Sequence, residues 1–321
     1  MSTSRSRVKV LFVGGLGRRG TTLLERLLGQ LPGAVPVGEV AQLWDRGVRE
    51  EEYCGCGTRF GYCEFWRRVG QSAFGGWPNL DSDRVAALRA TVDRPGNIPA
   101  LAARELRPAH RELVREYTSY YRRVYTAAAA DARARVIVDS AREVSLAYCL
   151  RWCSDIDLRV VHVVHDSRSG ETSEARPTVR SAWHWNTHNA AFGLLRRRGT
   201  QVQRIRYEEL MADPRSVVAG LADWAEIPVT ETQLRYLGAD YADLGPSHAA
   251  TGSPLRFTVG RVPLDYAENW RPRLPAPRRQ VVSTLTRPLL SRYGYLRGVP
   301  VPTFGRPLPV AGTTEELPSC S

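Results

Sequence analysis

Apolar positions along the chain alternate between short, nearly continuous runs and longer stretches of helical spacing. Four β-branched runs, Val8–Val13, Val136–Val138, Arg159–Val164 and Val202–Ile205, read as strands. The two middle runs are almost purely apolar, as strands buried on both faces must be. Helical spacing fills the intervals. Leu23, Leu24, Leu27, Leu28 and Leu31 follow the first run, Leu113, Tyr117, Tyr120 and Val124 precede the second, and Val179, Trp183, Asn186, Ala190 and Leu194 follow the third. Asp213-Pro214, a cap residue and a first-turn proline, opens a further helix carrying Val217, Val218, Leu221 and Trp224. Strands alternating with helices predict an α/β fold: a central parallel sheet flanked by helices, with a P-loop-like turn after the first strand. Residues from about 40 to 100 are rich in glycine, proline and tryptophan and read as an irregular insertion or lid. No internal repeat is found. The expectation is one α/β domain over residues 1–297 and a Pro-rich tail over 298–321.

Composition narrows the class. The 321 residues, 43% apolar and 24% charged, suffice for a substantial core without disulfide or metal staples. No apolar run approaches the about 18–20 residues that span a bilayer. The opening MSTSRSR leads straight into the first strand without a cleavage pattern, so a soluble, cytoplasmic protein is expected. The net charge is +12, and Lys9 is the one lysine among 45 basic residues, so 45 − 1 = 44 are arginines. That excess fits either a phosphate-bearing partner or an arginine-rich coding bias. The basic residues form no arm or tail, so a polyanionic small molecule is expected and nucleic acid is not. Any role that needs a fixed cation falls to arginine.

Cys54, Cys56 and Cys63 form a C-x-C-x6-C cluster in a glycine-rich loop. The spacing lacks paired C-x-x-C knuckles and no nearby histidine offers a fourth ligand, so a packed structural loop with no metal is expected. His184 and His188, four apart on one helix, have no evident third ligand either. Trp44, Trp66, Trp77, Trp183 and Trp185 read as core more than as pocket lining. No G-x-S-x-G elbow is present, which weighs against a serine hydrolase.

The richest segment runs Val10-Leu-Phe-Val-Gly-Gly-Leu-Gly-Arg-Arg-Gly-Thr-Thr-Leu-Leu: strand, glycine-rich turn, helix. Gly15 and Gly20 match the two glycines of G-x-x-x-x-G-K-S/T, whose backbone amides cradle a phosphate-like anion at a helix N-terminus. Thr21 stands at the lysine position, Thr22 follows, and Arg18 and Arg19 carry the charge. A nucleoside-triphosphate site relies on that lysine and on Mg2+. Arginine with two threonines suits an anion handled without metal, because the guanidinium fork grips two oxygens at once.

This segment resembles the 5′-phosphosulfate loop of sulfotransferases that use 3′-phosphoadenosine-5′-phosphosulfate, commonly G-x-x-R-S-G-T-T-L-L. Arg18, Gly20, Thr21 and Thr22 match, while Arg19 replaces the serine. The run Val160-Val-His-Val-Val-His-Asp-Ser-Arg-Ser-Gly-Glu-Thr-Ser resembles the family's 3′-phosphate motif, with Arg168 and Ser173 in place and His165 where an arginine is usual. Gly38-Glu39 falls where some members carry a catalytic glutamate. Val138-Asp-Ser-Ala-Arg resembles D-S-S-K with Arg142 for the lysine. Ile205-Arg-Tyr-Glu-Glu-Leu and Gly252-Ser-Pro-Leu-Arg-Phe extend the likeness, which covers roughly residues 8 to 295.

The resemblance implies a sulfotransferase that moves a sulfuryl group from this donor to a hydroxyl of a small-molecule acceptor, with no metal. It casts Glu39 as general base and Arg142 and Arg18 as electrostatic stabilisers. It places Gly17, Arg18, Arg19, Gly20, Thr21, Thr22, His165, Arg168, Ser173 and Arg256 on the donor. Two alternatives stand beside it. One is a binding protein of the same fold that has lost turnover, suggested by His165 and Arg19; the other is a P-loop kinase-like enzyme, which Thr21 disfavours.

Overall fold

The computed structural model describes residues 7–16, 20–169, 178–264 and 275–296. Five strands, β1 (Val8–Gly15), β2 (Ala34–Gly38), β3 (Val136–Arg142), β4 (Ile156–Val164) and β5 (Gln201–Arg206), form an all-parallel sheet in the order β2-β3-β1-β4-β5. A short antiparallel hairpin, β6 (Tyr241–Leu244) and β7 (Gly260–Pro263), stands apart. The helices are α1 (Gly20–Leu28), α2 (Glu64–Phe74), α3 (Ser82–Val92), α4 (Ile98–Leu101), α5 (Pro108–Asp131), α6 (Val144–Leu150), α7 (Thr178–Arg197), α8 (Tyr207–Ala212), α9 (Pro214–Trp224) and α10 (Ala276–Arg292). The four strands expected from apolar runs are all present, each extending past its run at one end or, for β5, at both.

Side-chain alternation along β1 shows why both faces must be covered. Val10 and Phe12 join one core with Trp44, Trp66, Tyr121, Ile137 and Val160, while Leu11 and Val13 join another with Leu24, Leu27, Val138, Val163 and Leu221. The first face is packed by α2, α3, α5 and α6, the second by α1, α8 and α9. Each fully buried aliphatic or aromatic side chain contributes roughly 1.5–3 kcal/mol, so these two layers dominate the stability.

Three expectations are corrected. The stretch from about 40 to 100 is not irregular: it carries a π-helical turn, Leu43–Arg49, followed by α2 and α3, and its Trp44 and Trp66 are core residues. The buried face of α7 is also not the one its apolar spacing suggests. Val179 and Trp183 are exposed, whereas Ser181, Trp185, His188, Asn189 and Phe192 face inward, because Asn189 Oδ1 pairs with His162 Nε2 at 2.8 Å. On α5 the expected Tyr117 and Val124 do face inward, but the rest of the stripe is Val114, Tyr121 and Tyr125, with Leu113 and Tyr120 at the margin. The Asp213-Pro214 start of α9 holds: the Asp213 carboxylate accepts from Ser216 N at 3.0 Å. Residues 298–321 lie outside the described residues. No helix among the described residues is long and apolar enough to cross a membrane.

Candidate functional site

A parallel sheet brings all its carboxyl ends to one edge, and the crevice forms where the strand order reverses. Here the chain moves from β1 to β2 and β3 on one side, then returns past β1 to β4 and β5 on the other. The segments after all five strands therefore meet beside the start of α1. Gly20, Thr21 and Thr22 follow β1; Glu39 follows β2; Arg142 ends β3; His165 follows β4; Arg206 and Tyr207 straddle the end of β5.

The first turn of α1 has the features of an anion cradle. Thr21 and Thr22 are 2% and 1% exposed, yet neither Oγ1 has a protein hydrogen-bond partner. Buried hydroxyls are ordinarily satisfied, so two orphans at one helix N-terminus fit oxygens supplied by a ligand. Gly20 allows the close approach: a Cβ there would lie 2.9 Å from His165 Nε2 and 3.0 Å from Tyr207 Cδ2. The His165 ring stacks on Tyr207 with centroids 4.3 Å apart, which fixes it over this turn. Gly17, Arg18, Arg19 and Ser173, expected on the donor, lie outside the described residues.

On the other side of the crevice, Glu39 and Arg142 meet across 103 residues of sequence: Arg142 Nη2 donates to Glu39 Oε2 at 2.8 Å. Two register shifts at the strand ends aim them. The β1–β3 pairing slips between Phe12 and Gly14, and the β2–β3 pairing slips between Pro36 and Gly38. Arg142 itself has φ 64°, in the left-handed region that a side-chain-bearing residue adopts at a cost of about 1–3 kcal/mol. Gly38, φ 84°, packs so tightly that a Cβ would lie 2.7 Å from Thr251 O. Glu39 is then clasped by backbone: its N–H donates to Thr251 O at 3.2 Å, and its carbonyl accepts from Thr251 Oγ1 at 2.8 Å.

Glu39 is 3% exposed. Burial raises its pKa above the ordinary carboxylate value, while Arg142, Arg46 and Arg256 pull it back down. A chain of contacts extends from it. Gln42 Nε2 donates to Glu39 Oε2 at 3.0 Å, Arg46 donates to Gln42 Oε1 at 3.0 Å and to Glu52 Oε1 at 2.6 Å, and Arg256 reaches Glu52 Oε2 at 3.3 Å. Arg256 also donates to Tyr53 O at 3.3 Å and to Gly252 O, so its buried guanidinium ties the 252–257 segment to the loop at 52–53. Arg168, whose Nη2 lies 2.5 Å from Asp166 Oδ2, also donates to Tyr295 O at 3.2 Å. The structure thus groups Glu39, Arg142 and Arg256 on one side of the crevice and Gly20, Thr21, Thr22 and His165 on the other, with Arg168 held by its own loop.

Beneath Glu39 lie two carboxyl groups of which the sequence gives little sign. Glu25, on α1, accepts from Gly38 N at 2.5 Å and from Ser140 Oγ at 2.6 Å, tying α1 to the ends of β2 and β3. Asp139 accepts from Tyr125 Oη at 2.5 Å and from Ala141 N at 2.8 Å. Burial pushes Glu25 up to about 8 and Asp139 up to about 7, opposed by these hydrogen bonds and reinforced by the neighbouring acids. The available signal for Glu25 was a charged residue inside the leucine stripe of α1. His188 is another buried neighbour: its Nε2 lacks a partner, and burial, His184 and Arg142 lower its pKa to about 4, so it is neutral. In the cysteine loop, the histidine that local spacing did not supply comes from a distant segment: His248 joins Cys54, Cys56 and Cys63 in one cluster.

The Glu25 value sets a sign for stability. Folded Glu25 keeps its proton up to about pH 8, whereas in the unfolded chain it is lost near the ordinary 4.5. The folded state therefore holds more protons across that window, and this group's contribution falls as pH rises through it. Glu25→Gln can accept from Gly38 N through its oxygen and donate to the Ser140 hydroxyl through its amide nitrogen, and it has no proton to lose. Thermal unfolding at about pH 6 and about pH 8.5 is expected to show wild-type Tm dropping by several degrees more than the variant's. Parallel slopes would mean that Glu25 is already ionised in the fold.

No family model matches the chain, and no curated protein matches it in sequence. Among solved structures the chain is similar to the sulfotransferase domain of the Synechococcus PCC 7002 olefin synthase, with TM-score 0.50 and 17% identity over 89% of this chain and 96% of that one. It is also similar to the sulfotransferase domain from the curacin biosynthetic pathway (TM-score 0.45, 14% identity, 88% and 98% covered) and to a sulfotransferase from Mycobacterium avium (TM-score 0.43, 14% identity, 90% and 77% covered). The first of these shows the fold: the chain has the α/β architecture of sulfotransferase domains, a parallel five-stranded sheet flanked by helices.

Proposed function

We propose that the chain is a sulfotransferase that takes a sulfuryl group from 3′-phosphoadenosine-5′-phosphosulfate and delivers it to a hydroxyl of a small-molecule acceptor. The observation that carries this reading is the pairing of an orphaned-hydroxyl anion cradle at α1 with a buried Glu39–Arg142 pair across the same crevice.

In this reading Gly20, Thr21 and Thr22 hold the phosphosulfate through backbone amides and hydroxyls, joined by Gly17, Arg18 and Arg19, which precede them in sequence. His165, Arg168 and Ser173 serve the 3′-phosphate; for Arg168 this requires sharing its guanidinium with Asp166. Arg256 supplies charge near Glu39 instead of touching the donor from its present hydrogen bonds. The Glu39 carboxylate takes the acceptor hydroxyl's proton as the new oxygen–sulfur bond forms. The bond from sulfur to the bridging oxygen breaks, and the bisphosphate leaves with the electron pair. Arg142 stabilises the negative charge that develops, but cannot surrender a proton because guanidinium stays charged at any working pH.

The test is a thermal-shift titration of the full chain with 3′-phosphoadenosine 5′-phosphate, beside ATP with Mg2+ and 5′-AMP. A ligand that binds only the folded state raises Tm, by about 2.7 kcal/mol of stabilisation at a hundredfold excess over Kd. Stabilisation by the bisphosphate and not by ATP with Mg2+ is the expected result. A response to ATP with Mg2+ alone would overturn the reading in favour of a kinase-like enzyme.

A further inference from the structure

The loop from Cys54 to Cys63 folds back on itself. Cys54 N donates to Thr58 O at 2.8 Å and Gly57 N donates to Cys54 O at 2.8 Å, with Gly57 at φ 84° completing the tight turn. This brings Cys56 Sγ to 3.7 Å from Cys63 Sγ. His248 enters the same space from 185 residues beyond Cys63, its Nδ1 lying 3.3 Å from Cys63 Sγ and 3.9 Å from Cys54 Sγ. All four ligand atoms lie within 4.8 Å of one another, a grouping that local spacing could not disclose.

We propose that Cys54, Cys56, Cys63 and His248 form a structural zinc site. A tetrahedron with Zn–S bonds of about 2.3 Å and a Zn–N bond of about 2.0–2.1 Å has S···S edges near 3.8 Å and S···N edges near 3.6 Å. The observed 3.7, 3.3 and 3.9 Å separations bracket those edges. They are far from the roughly 2.05 Å of a disulfide. Three thiolates and an imidazole are the soft and borderline donors that zinc takes, not magnesium or calcium. Four protein ligands leave no open position, so the ion would hold structure and not carry catalysis. Binding releases the three thiol protons to solvent and leaves the site with a net charge of 2 − 3 = −1. The buried Arg256, whose charge interacts with Cys54, is placed to balance it.

The surroundings orient the ligands, as outer-shell groups do at built metal sites. The His248 ring stacks on Phe65 with centroids 5.1 Å apart, Trp66 Nε1 donates to His248 O at 2.7 Å, and Gly55 N donates to Ala249 O at 3.0 Å. His248 is exposed and Cys56 half-buried, which leaves the ion a way in. The consequence reaches the crevice. The segment that carries His248 continues through Ala250, which donates to Val37 O at 3.1 Å, to Thr251, which clasps Glu39. A zinc ion would therefore fasten the loop at 54–63, the start of α2 and the segment behind Glu39 into one unit.

The site can be tested without any donor or acceptor. The full chain, purified reduced and without chelator, is expected to contain about one zinc per chain by plasma mass spectrometry. After cobalt(II) exchange it should show the visible bands of tetrahedral thiolate coordination. Chelation should lower Tm, and added zinc should restore it. Cys63→Ser and His248→Ala are expected to lose the metal, while His248→Cys should retain it as a four-cysteine site. If Cys63→Ser does not fold, the chelation cycle on the wild-type chain and the exposed His248→Ala variant still decide the matter. Reduced wild-type protein that takes up no zinc or cobalt would overturn the proposal. So would undiminished zinc in Cys63→Ser, or a Cys56–Cys63 disulfide in the native chain.

Discussion

Replacing Glu39 by glutamine is expected to cut turnover by about 10²–10⁴-fold, the range a positioned general base contributes, while leaving the affinity for 3′-phosphoadenosine 5′-phosphate unchanged. The substitution preserves the shape of a side chain only 3% exposed and can still accept from Arg142 and Gln42. It removes one thing, the capacity to take a proton. The measurement is sulfuryl transfer to the best acceptor from a panel of phenols, alcohols and sugars, set beside the thermal-shift response to the bisphosphate. Turnover lost with binding intact is the signature of a base. Binding lost with turnover spared would make Glu39 a donor-site residue and sink the assignment.

The second large effect belongs to Arg142. Arg142→Ala is expected to lower kcat by about 10²–10³-fold, the usual consequence of deleting one preorganised electrostatic partner of a transition state. It also has a directional signature in pH. Arg142 is the largest of the influences that hold Glu39 down against burial, so its removal sends the Glu39 pKa further up. Because the base acts in its deprotonated form, the rising limb of the pH–rate profile must move to higher pH. Arg142→Lys keeps the charge and is expected to recover much of the rate and to return the limb towards its wild-type position. An Arg142→Ala profile that falls without moving would show that Arg142 does not govern Glu39. Stability serves as a control: breaking a buried ion pair costs about 3–5 kcal/mol, and less is expected here because the Arg142 side chain is 25% exposed.

How much of this was legible in the sequence depended on whether the physics was local. The runs that became β1, β3, β4 and β5 are apolar because both faces of a parallel sheet are covered, and that requirement writes itself into neighbouring residues. The edge strand β2 is hidden in the sequence because Pro36 sits inside it, Gly33 precedes it and Gly38 ends it, a composition that ordinarily marks a turn. An edge strand pairing on one side only tolerates that proline. The inward face of α7 does not show in its apolar spacing because its buried members include Ser181, His188 and Asn189, whose polarity hides them from a hydrophobic count. The helices α2 and α3 were masked by glycine and proline punctuation, although Trp44 and Trp66 anchor that layer in the core.

The sequence by itself determined that a strand precedes and a helix begins near Gly20–Thr22, the parallel α/β class and the family resemblance, since each rests on residues adjacent in the chain or spaced by one element. Tertiary structure alone decided which distant groups meet. Glu39 finds Arg142 103 residues away, Glu25 finds Ser140 115 away, and Cys63 finds His248 185 away. Those approaches follow from strand order, from two register slips at the carboxyl ends of β2 and β3, and from the docking of the 247–252 segment against β2. Register and docking are set by the summed packing of whole faces, and no short stretch of sequence carries that sum.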